Sequence, residues 1–158
     1  MPPNGVVVLE TNQGVIEIEL FTRIAPKACE NFVGLVKKGY YDGTIFHKLI
    51  KNLMIQGGDP TGTGRGGASI WGKPFRDEVS SGIKFDRRGL VAMASTGPDT
   101  NGSQFFITTA EARLFNMKHT IFGEVVSGYD VVRKIENTPT DSADRPLVEQ
   151  KIIKVYLK

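Results

Sequence analysis

Thr44-Ile45-Phe46-His47-Lys48-Leu49-Ile50-Lys51-Asn52-Leu53-Met54-Ile55-Gln56-Gly57-Gly58-Asp59 decides how the rest of the chain is read. It holds two short apolar runs, Thr44 to Ile50 and Leu53 to Gln56, and a glycine pair cuts off the second. Short apolar runs bounded by turn residues suit strands. Strand period then puts Met54 and Gln56 on one face, an apolar side chain beside an amide. The same coupling recurs at Gln104 and Phe106 in the run Gln104 to Thr108, where Phe105 and Ile107 supply the opposite, inward face.

Outward from this stretch the pattern repeats. Leu90 to Ala94 and Thr120 to Val125 are further short apolar runs. Val6 to Glu10 is apolar and β-branched, and Gly14 to Leu20 alternates, with Val15, Glu17 and Glu19 opposite Ile16, Ile18 and Leu20. Thr11-Asn12-Gln13-Gly14 between them carries turn residues, so the pair reads as a hairpin. Lys151 to Leu157 closes the chain with Ile153, Val155 and Leu157 expected on one face. Pro26 opens a helix, as proline at a first helical position should. Ala28, Phe32, Leu35 and Val36, with Cys29 and Val33 beside them, form its apolar stripe; Lys37, Lys38 and Gly39 suit its end. A second, shorter helix is expected from Tyr129 to Glu136, with Val132 and Ile135 inward. About eight strands with two helices favour a sandwich or a barrel, the barrel preferred. A doubly wound α/β sheet needs a helix after nearly every strand, and those are missing.

The totals agree. A chain of 158 residues is expected to be one domain, residues 1–158, and 18 glycines with 8 prolines point to many turns. The balance of 20 Lys and Arg against 17 Asp and Glu gives +3, spread along the chain with no run longer than Arg87-Arg88 or Lys37-Lys38. Nucleic-acid binders concentrate charge on one stripe, so direct nucleic-acid binding is not expected. Cys29 is the only cysteine, so no internal disulfide forms, and its place on the helix stripe makes it a packed apolar thiol. No apolar run approaches a membrane span or a signal segment, and Met1-Pro2-Pro3-Asn4-Gly5 is a polar lead-in. The expected setting is cytoplasmic or nuclear, and the expected state a monomer.

Two motifs suggest nucleotide chemistry and fail on context. Gly62-Thr63-Gly64-Arg65-Gly66-Gly67 matches G-x-G-x-x-G, but Asp59-Pro60 precedes it and no helical period comes after it. Gly67 to Lys73 reads G-x-x-x-x-G-K, yet Pro74 stands where a phosphate loop needs Ser or Thr. A long glycine-rich surface loop remains, with Trp71 either anchoring it or exposed. His47 and His119 are the only histidines, without zinc-ligand spacing. No metal or other cofactor is expected.

Three stretches taken together are more specific: Phe46-His47-Lys48-Leu49-Ile50, Met54-Ile55-Gln56-Gly57-Gly58-Asp59, and Asn101-Gly102-Ser103-Gln104-Phe105-Phe106-Ile107-Thr108. In order and spacing they resemble the signature segments of the cyclophilin family. Ala92-Met93-Ala94, Gly97-Pro98, Lys118-His119 and Phe122-Gly123 are similar to that family too, and the resemblance runs from about Val6 to Leu157. It implies an eight-stranded antiparallel closed β-barrel capped by two α-helices. It also implies peptidyl-prolyl cis-trans isomerase activity in a shallow groove on the outer wall. Carried over by position, Lys48, Gln56 and His119 are the candidate catalytic residues. Leu53, Met54, Ala94, Ser95, Gln104, Phe106, Leu114 and Phe115 are the candidate binding residues for a proline-containing segment.

The departures from the family pattern carry their own expectations. Lys48 stands where the family has the arginine of its Phe-His-Arg motif, which keeps the charge but loses the planar fork. Losing one charge-assisted hydrogen bond costs about 1.5–3 kcal/mol, ten- to a hundred-fold in rate, of which lysine retains part, so a reduced activity is expected. Leu53 replaces a usual phenylalanine and Ser95 a usual asparagine. Leu114 replaces the tryptophan of many members, removing an indole N–H, and Phe115 the leucine after it. Cyclosporin is therefore expected to bind weakly at best. The other reading is a binding module that grips a proline segment with little turnover. The stretch Thr61 to Trp71 resembles splicing-associated cyclophilins and implies a nuclear, spliceosomal protein partner.

Overall fold

The computed structural model describes residues 5–158, so the first four residues of the polar lead-in lie outside the described residues. Among the described residues eight strands and two helices follow in order: β1 (Val6–Thr11), β2 (Gly14–Leu20), α1 (Pro26–Lys37), β3 (Ile45–Ile50), β4 (Met54–Asp59), β5 (Leu90–Met93), β6 (Phe105–Thr108), β7 (Ile121–Ser127), α2 (Tyr129–Glu136) and β8 (Ile152–Leu157). A short 3-10 turn, Arg113–Phe115, lies between β6 and β7. The strands form one antiparallel sheet in the order β3-β4-β6-β5-β7-β2-β1-β8.

The sheet curls until its two edges meet, but the closure is looser than a closed barrel implies. Among the described residues a single bridge joins the two edges, Ile45 of β3 with Lys151 just before β8. Around it, Phe46 N donates to Gln150 O, Gly43 N to Ile152 O and Ile152 N to Thr44 O, each at 2.8 Å. Edge groups are thus paired at one end of the seam while no continuous ladder runs along it, which corrects the expected full closure. The last strand brings a second correction. Ile153 is 54% exposed and Ile152 is fully buried. The reason is a bulge: Glu10 pairs with Lys154 but Thr11 with Ile152, so Ile153 is the extra residue and the inward parity shifts by one.

The interior is aromatic. Phe32 of α1 packs against Tyr41, Phe105 and Phe122 at ring separations of 5.0 to 5.4 Å, and the Tyr41 hydroxyl donates to Ser103 O at 2.8 Å. Both helices press their apolar faces into this core, α1 through Ala28, Cys29, Phe32, Val33, Leu35 and Val36, and α2 through Val131, Val132 and Ile135. Ala25 at the start of α1 offers no capping side chain. Glu78 supplies the cap from fifty residues away, accepting from Lys27 N at 3.1 Å and Ala28 N at 2.8 Å. At the other end Gly39 takes a φ of +68°, its N–H donating to Val36 O and that of Tyr40 to Leu35 O. This is the glycine-terminated helix end the sequence promised. No helix among the described residues is long and apolar enough to cross a membrane.

Candidate active site

Strand register draws one line of side chains across the sheet. Lys48 on β3 pairs with Gln56 on β4, Gln56 with Phe106 on β6, Phe106 with Ala92 on β5, and Ala92 with Ile121 on β7. Directly opposed residues share a face. The face is the outer one, because Phe105 and Ile107, one residue to either side of Phe106, belong to the interior core. Segments nearly sixty residues apart in sequence, Lys48 and Phe106, are thereby brought within two strands of each other.

The middle of this line is apolar and covered. Phe106 is 2% exposed and Met54 4% exposed. With Phe85, Leu90, Ala92, Ala112 and Ile121 they form a second buried cluster, against which Leu53, Ala94 and Phe115 pack. The expectation that Met54 and Phe106 are open groove side chains is corrected to that extent. They are the floor of a small outer core, because the segments carrying Phe85 and Phe115 fold over the wall. Phe85 stacks on Phe106 at 5.9 Å with 17° between planes, while Phe115 and His119 approach it at 5.1 and 5.3 Å, His119 edge-on. His119 Nδ1 lies 3.0 Å from Met93 O. A carbonyl oxygen only accepts, so Nδ1 is the donor. Leu114 is 60% exposed on the 3-10 turn and forms a rim.

The polar end is an amide pair. Gln56 Nε2 donates to Gln104 Oε1 at 2.9 Å, and Gln104 Nε2 donates to Gly64 O and Gly66 O, also at 2.9 Å. Ala94 N donates to Gln104 O at 3.0 Å, tying the segment after β5 to the same point. Beside the pair opens a cleft of about 230 Å³ whose lining includes Ala94, Ser95, Thr96, Thr100 and Arg65, the one charged residue in it. Lys48 is half-buried, and no hydrogen bond or ion pair engages its ammonium among the described residues.

The glycine-rich loop proves to wrap an anion of its own. Asp59, fully buried at the end of β4, accepts from Thr61 N and Thr61 Oγ1 at 2.8 Å, Gly64 N at 2.7 Å and Gly66 N at 3.1 Å. Burial by itself would raise its pKa, but these donors, Thr61 Oγ1 foremost, hold it down at about 2. Amides that a phosphate loop turns towards a ligand are here turned on the chain's own carboxylate. His47 lies beneath the loop, 4% exposed, and burial lowers its pKa more than the neighbouring Asp59 raises it. Cys29 is buried, its thiol pushed up to about 12 by burial and by Glu78. Trp71 does both things the sequence left open. It packs edge-on to Phe75 at 5.4 Å, with the Lys27 ammonium 5.2 Å from its ring centre, and stays 37% exposed.

Sequence reasoning missed Phe85, Arg65, Thr96 and Thr100. Phe85 carried a faint signal, a lone aromatic in the charged stretch Lys84-Phe85-Asp86-Arg87-Arg88. The cleft residues carried none, because loop residues have no period that says which way they face.

Comparison with known proteins bears directly on this geometry. The family model described as cyclophilin type peptidyl-prolyl cis-trans isomerase/CLD matches residues 6–157. Peptidyl-prolyl cis-trans isomerase-like 1 of Homo sapiens is 56% identical over 155 residues, covering 98% of this chain and 92% of that protein. The spliceosome-associated protein CWC27 homolog of Danio rerio is 54% identical over 153 residues, which is 96% of this chain and 32% of that longer protein. Among solved structures, a Cryptosporidium parvum cyclophilin type peptidyl-prolyl cis-trans isomerase superposes with a TM-score of 0.95 at 46% identity, covering 98% of this chain and 97% of the other. The same protein solved in the presence of the dipeptide Ala-Pro superposes with a TM-score of 0.94 at 46% identity, covering 97% and 98%.

Proposed function

The chain belongs to the family of cyclophilin-type peptidyl-prolyl cis-trans isomerases, and from that premise we propose that the line from Lys48 to Phe106 is a working X-Pro isomerase site with reduced turnover. The observation that carries the proposal is the register itself, Lys48 with Gln56 and Gln56 with Phe106, which sets a cation, an amide and an aromatic ring side by side on one wall.

Each part has a task that physics assigns. Peptide rotation meets a barrier of roughly 18–20 kcal/mol from amide resonance. Nothing covalent is needed to lower it; the twisted state has only to be held better than the planar ones. The proline ring rests on the apolar patch around Phe106 and Phe115, with Leu114 at its rim. Gln56 and Gln104 hold the peptide backbone. The Lys48 ammonium donates to the substrate carbonyl or towards the prolyl nitrogen, where electron density collects as resonance is lost. One ammonium cannot grip both as a guanidinium fork can, and this is the reason for the reduced rate.

Coupled proteolysis of a short X-Pro peptide tests the proposal. The chain is expected to accelerate the slow cis phase in proportion to its concentration. Peptide-induced shifts at Gln56 and Phe106 without any acceleration would instead establish the binding-module reading, which the ammonium-for-guanidinium exchange and the exposed Leu114 favour. We further propose a nuclear setting with a splicing-associated protein partner, resting on the kinship to the CWC27 homolog. Tagged protein is expected to co-sediment with splicing complexes from nuclear extract, and a purely cytoplasmic distribution contradicts that setting.

A further inference from the structure

We propose that Asp59, buried at the end of β4 and enclosed by its own loop, is a positioning residue that fixes which way the Gln56 amide faces the bound peptide. The proposal rests on the isomerase reading above. Its basis is an unbroken chain of hydrogen bonds. The buried Asp59 carboxylate gathers the amides of Thr61, Gly64 and Gly66 and so folds the loop around itself. With those N–H groups turned inward, two carbonyls of the same loop, Gly64 O and Gly66 O, turn towards Gln104.

Donor and acceptor types fix the remaining links of the relay. A carbonyl oxygen only accepts, so the two carbonyls require the NH2 of Gln104 and consume both of its hydrogens. Gln104 Oε1 must then point away from the loop, where it faces Gln56. An oxygen acceptor there requires the NH2 of Gln56 in turn. Gln56 is left with one N–H and its Oε1 to offer, in a fixed orientation, on the strand next to Lys48. Without the loop carbonyls either glutamine amide can flip by half a turn, and a flipped amide presents an acceptor where the peptide needs a donor. The space around the carboxylate is tight, since a Cβ on Gly66 would overlap both Asp59 Oδ1 and Thr61 Cγ2. Nothing larger than glycine fits there without moving the loop.

The test is a double-mutant cycle on the full chain, read on an X-Pro peptide and by NMR of the glutamine side-chain amides. Asp59→Asn keeps the shape but puts an NH2 among the loop donors, and it is expected to lower kcat/KM about tenfold. In a Gln104→Ala background the same substitution is expected to change it less than twofold, because the relay is already cut. The Gln104 side-chain amide protons are expected to move in Asp59→Asn towards the positions of free glutamine. Gly66→Ala leaves the carboxylate in place and displaces the loop; it should give the same amide signature with a smaller loss, and it carries the test should Asp59→Asn fail to fold. Equal losses in both backgrounds, or unmoved Gln104 resonances, overturn the proposal. If the parent chain has no isomerase activity the function fails, while the amide resonances still decide the relay.

Discussion

At the scale of single residues, the proposed groove departs from the pattern the family resemblance implies by substitutions whose chemistry is readable one at a time. Leu114 is the most exposed of them, at 60%. An exposed aliphatic rim offers a ligand contact area but no N–H, so cyclosporin is expected to bind weakly. Leu114→Trp should tighten it about tenfold by restoring a donor and an aromatic face. Isothermal titration of both proteins checks this, and submicromolar binding by the unaltered chain contradicts it. Residues with a local reason for their place were legible in the sequence. Pro26 and Gly39 bracket a helix because of their own backbone limits, and Cys29 is inert because it lies on a helical stripe. Phe85 was only faintly legible and Arg65 not at all. Their roles arise only when a loop folds across a wall made by other segments, and nothing in neighbouring residues encodes that meeting.

Elements show the same division. All eight strands and both helices were marked by period and punctuation, and their bounds moved by at most three residues, the most at the end of β4. The inward face of β8 was misjudged at Ile153, since a bulge is a property of the pairing with β1 and a lone strand does not carry it. The loop after β4 was read only as a long glycine-rich surface loop, and what organises it is a carboxylate two residues before Thr61. That organisation has a consequence for acid stability. The Asp59 pKa is held at about 2 against an ordinary 3.8. A depressed carboxylate stabilises the fold above its unfolded pKa, and the contribution is lost as pH falls from about 4 through 2. The difference is worth roughly 2 kcal/mol. Urea midpoints measured at pH 6 and pH 2.5 should therefore fall further for the parent chain than for Asp59→Asn. Equal falls would show that the carboxylate is not depressed.

For the whole molecule, the fold rests on two apolar clusters separated by the sheet, and they should respond differently to damage. Phe32 is fully buried and meets three rings in the interior. Phe32→Ala is expected to cost about 3–5 kcal/mol in chemical denaturation. Phe85→Leu on the outer wall should cost less stability, about 1 kcal/mol, and lose more peptide binding, because its ring stacks on Phe106. The reverse ranking contradicts the proposed division into a structural core and a peptide-binding one. The number of strands was legible in the chain but the looseness of the seam between β3 and β8 was not, as it depends on curvature summed over the entire sheet. The central claim, that this wall isomerises X-Pro bonds through Lys48, is tested most directly by two-dimensional exchange NMR on one X-Pro peptide with the parent chain, Lys48→Arg and Lys48→Ala. Measurable catalysed exchange is expected in the parent, several-fold faster exchange with arginine, and at least a tenfold loss with alanine, with peptide affinity changing less than rate in both variants. An exchange rate left unchanged in Lys48→Ala contradicts the claim.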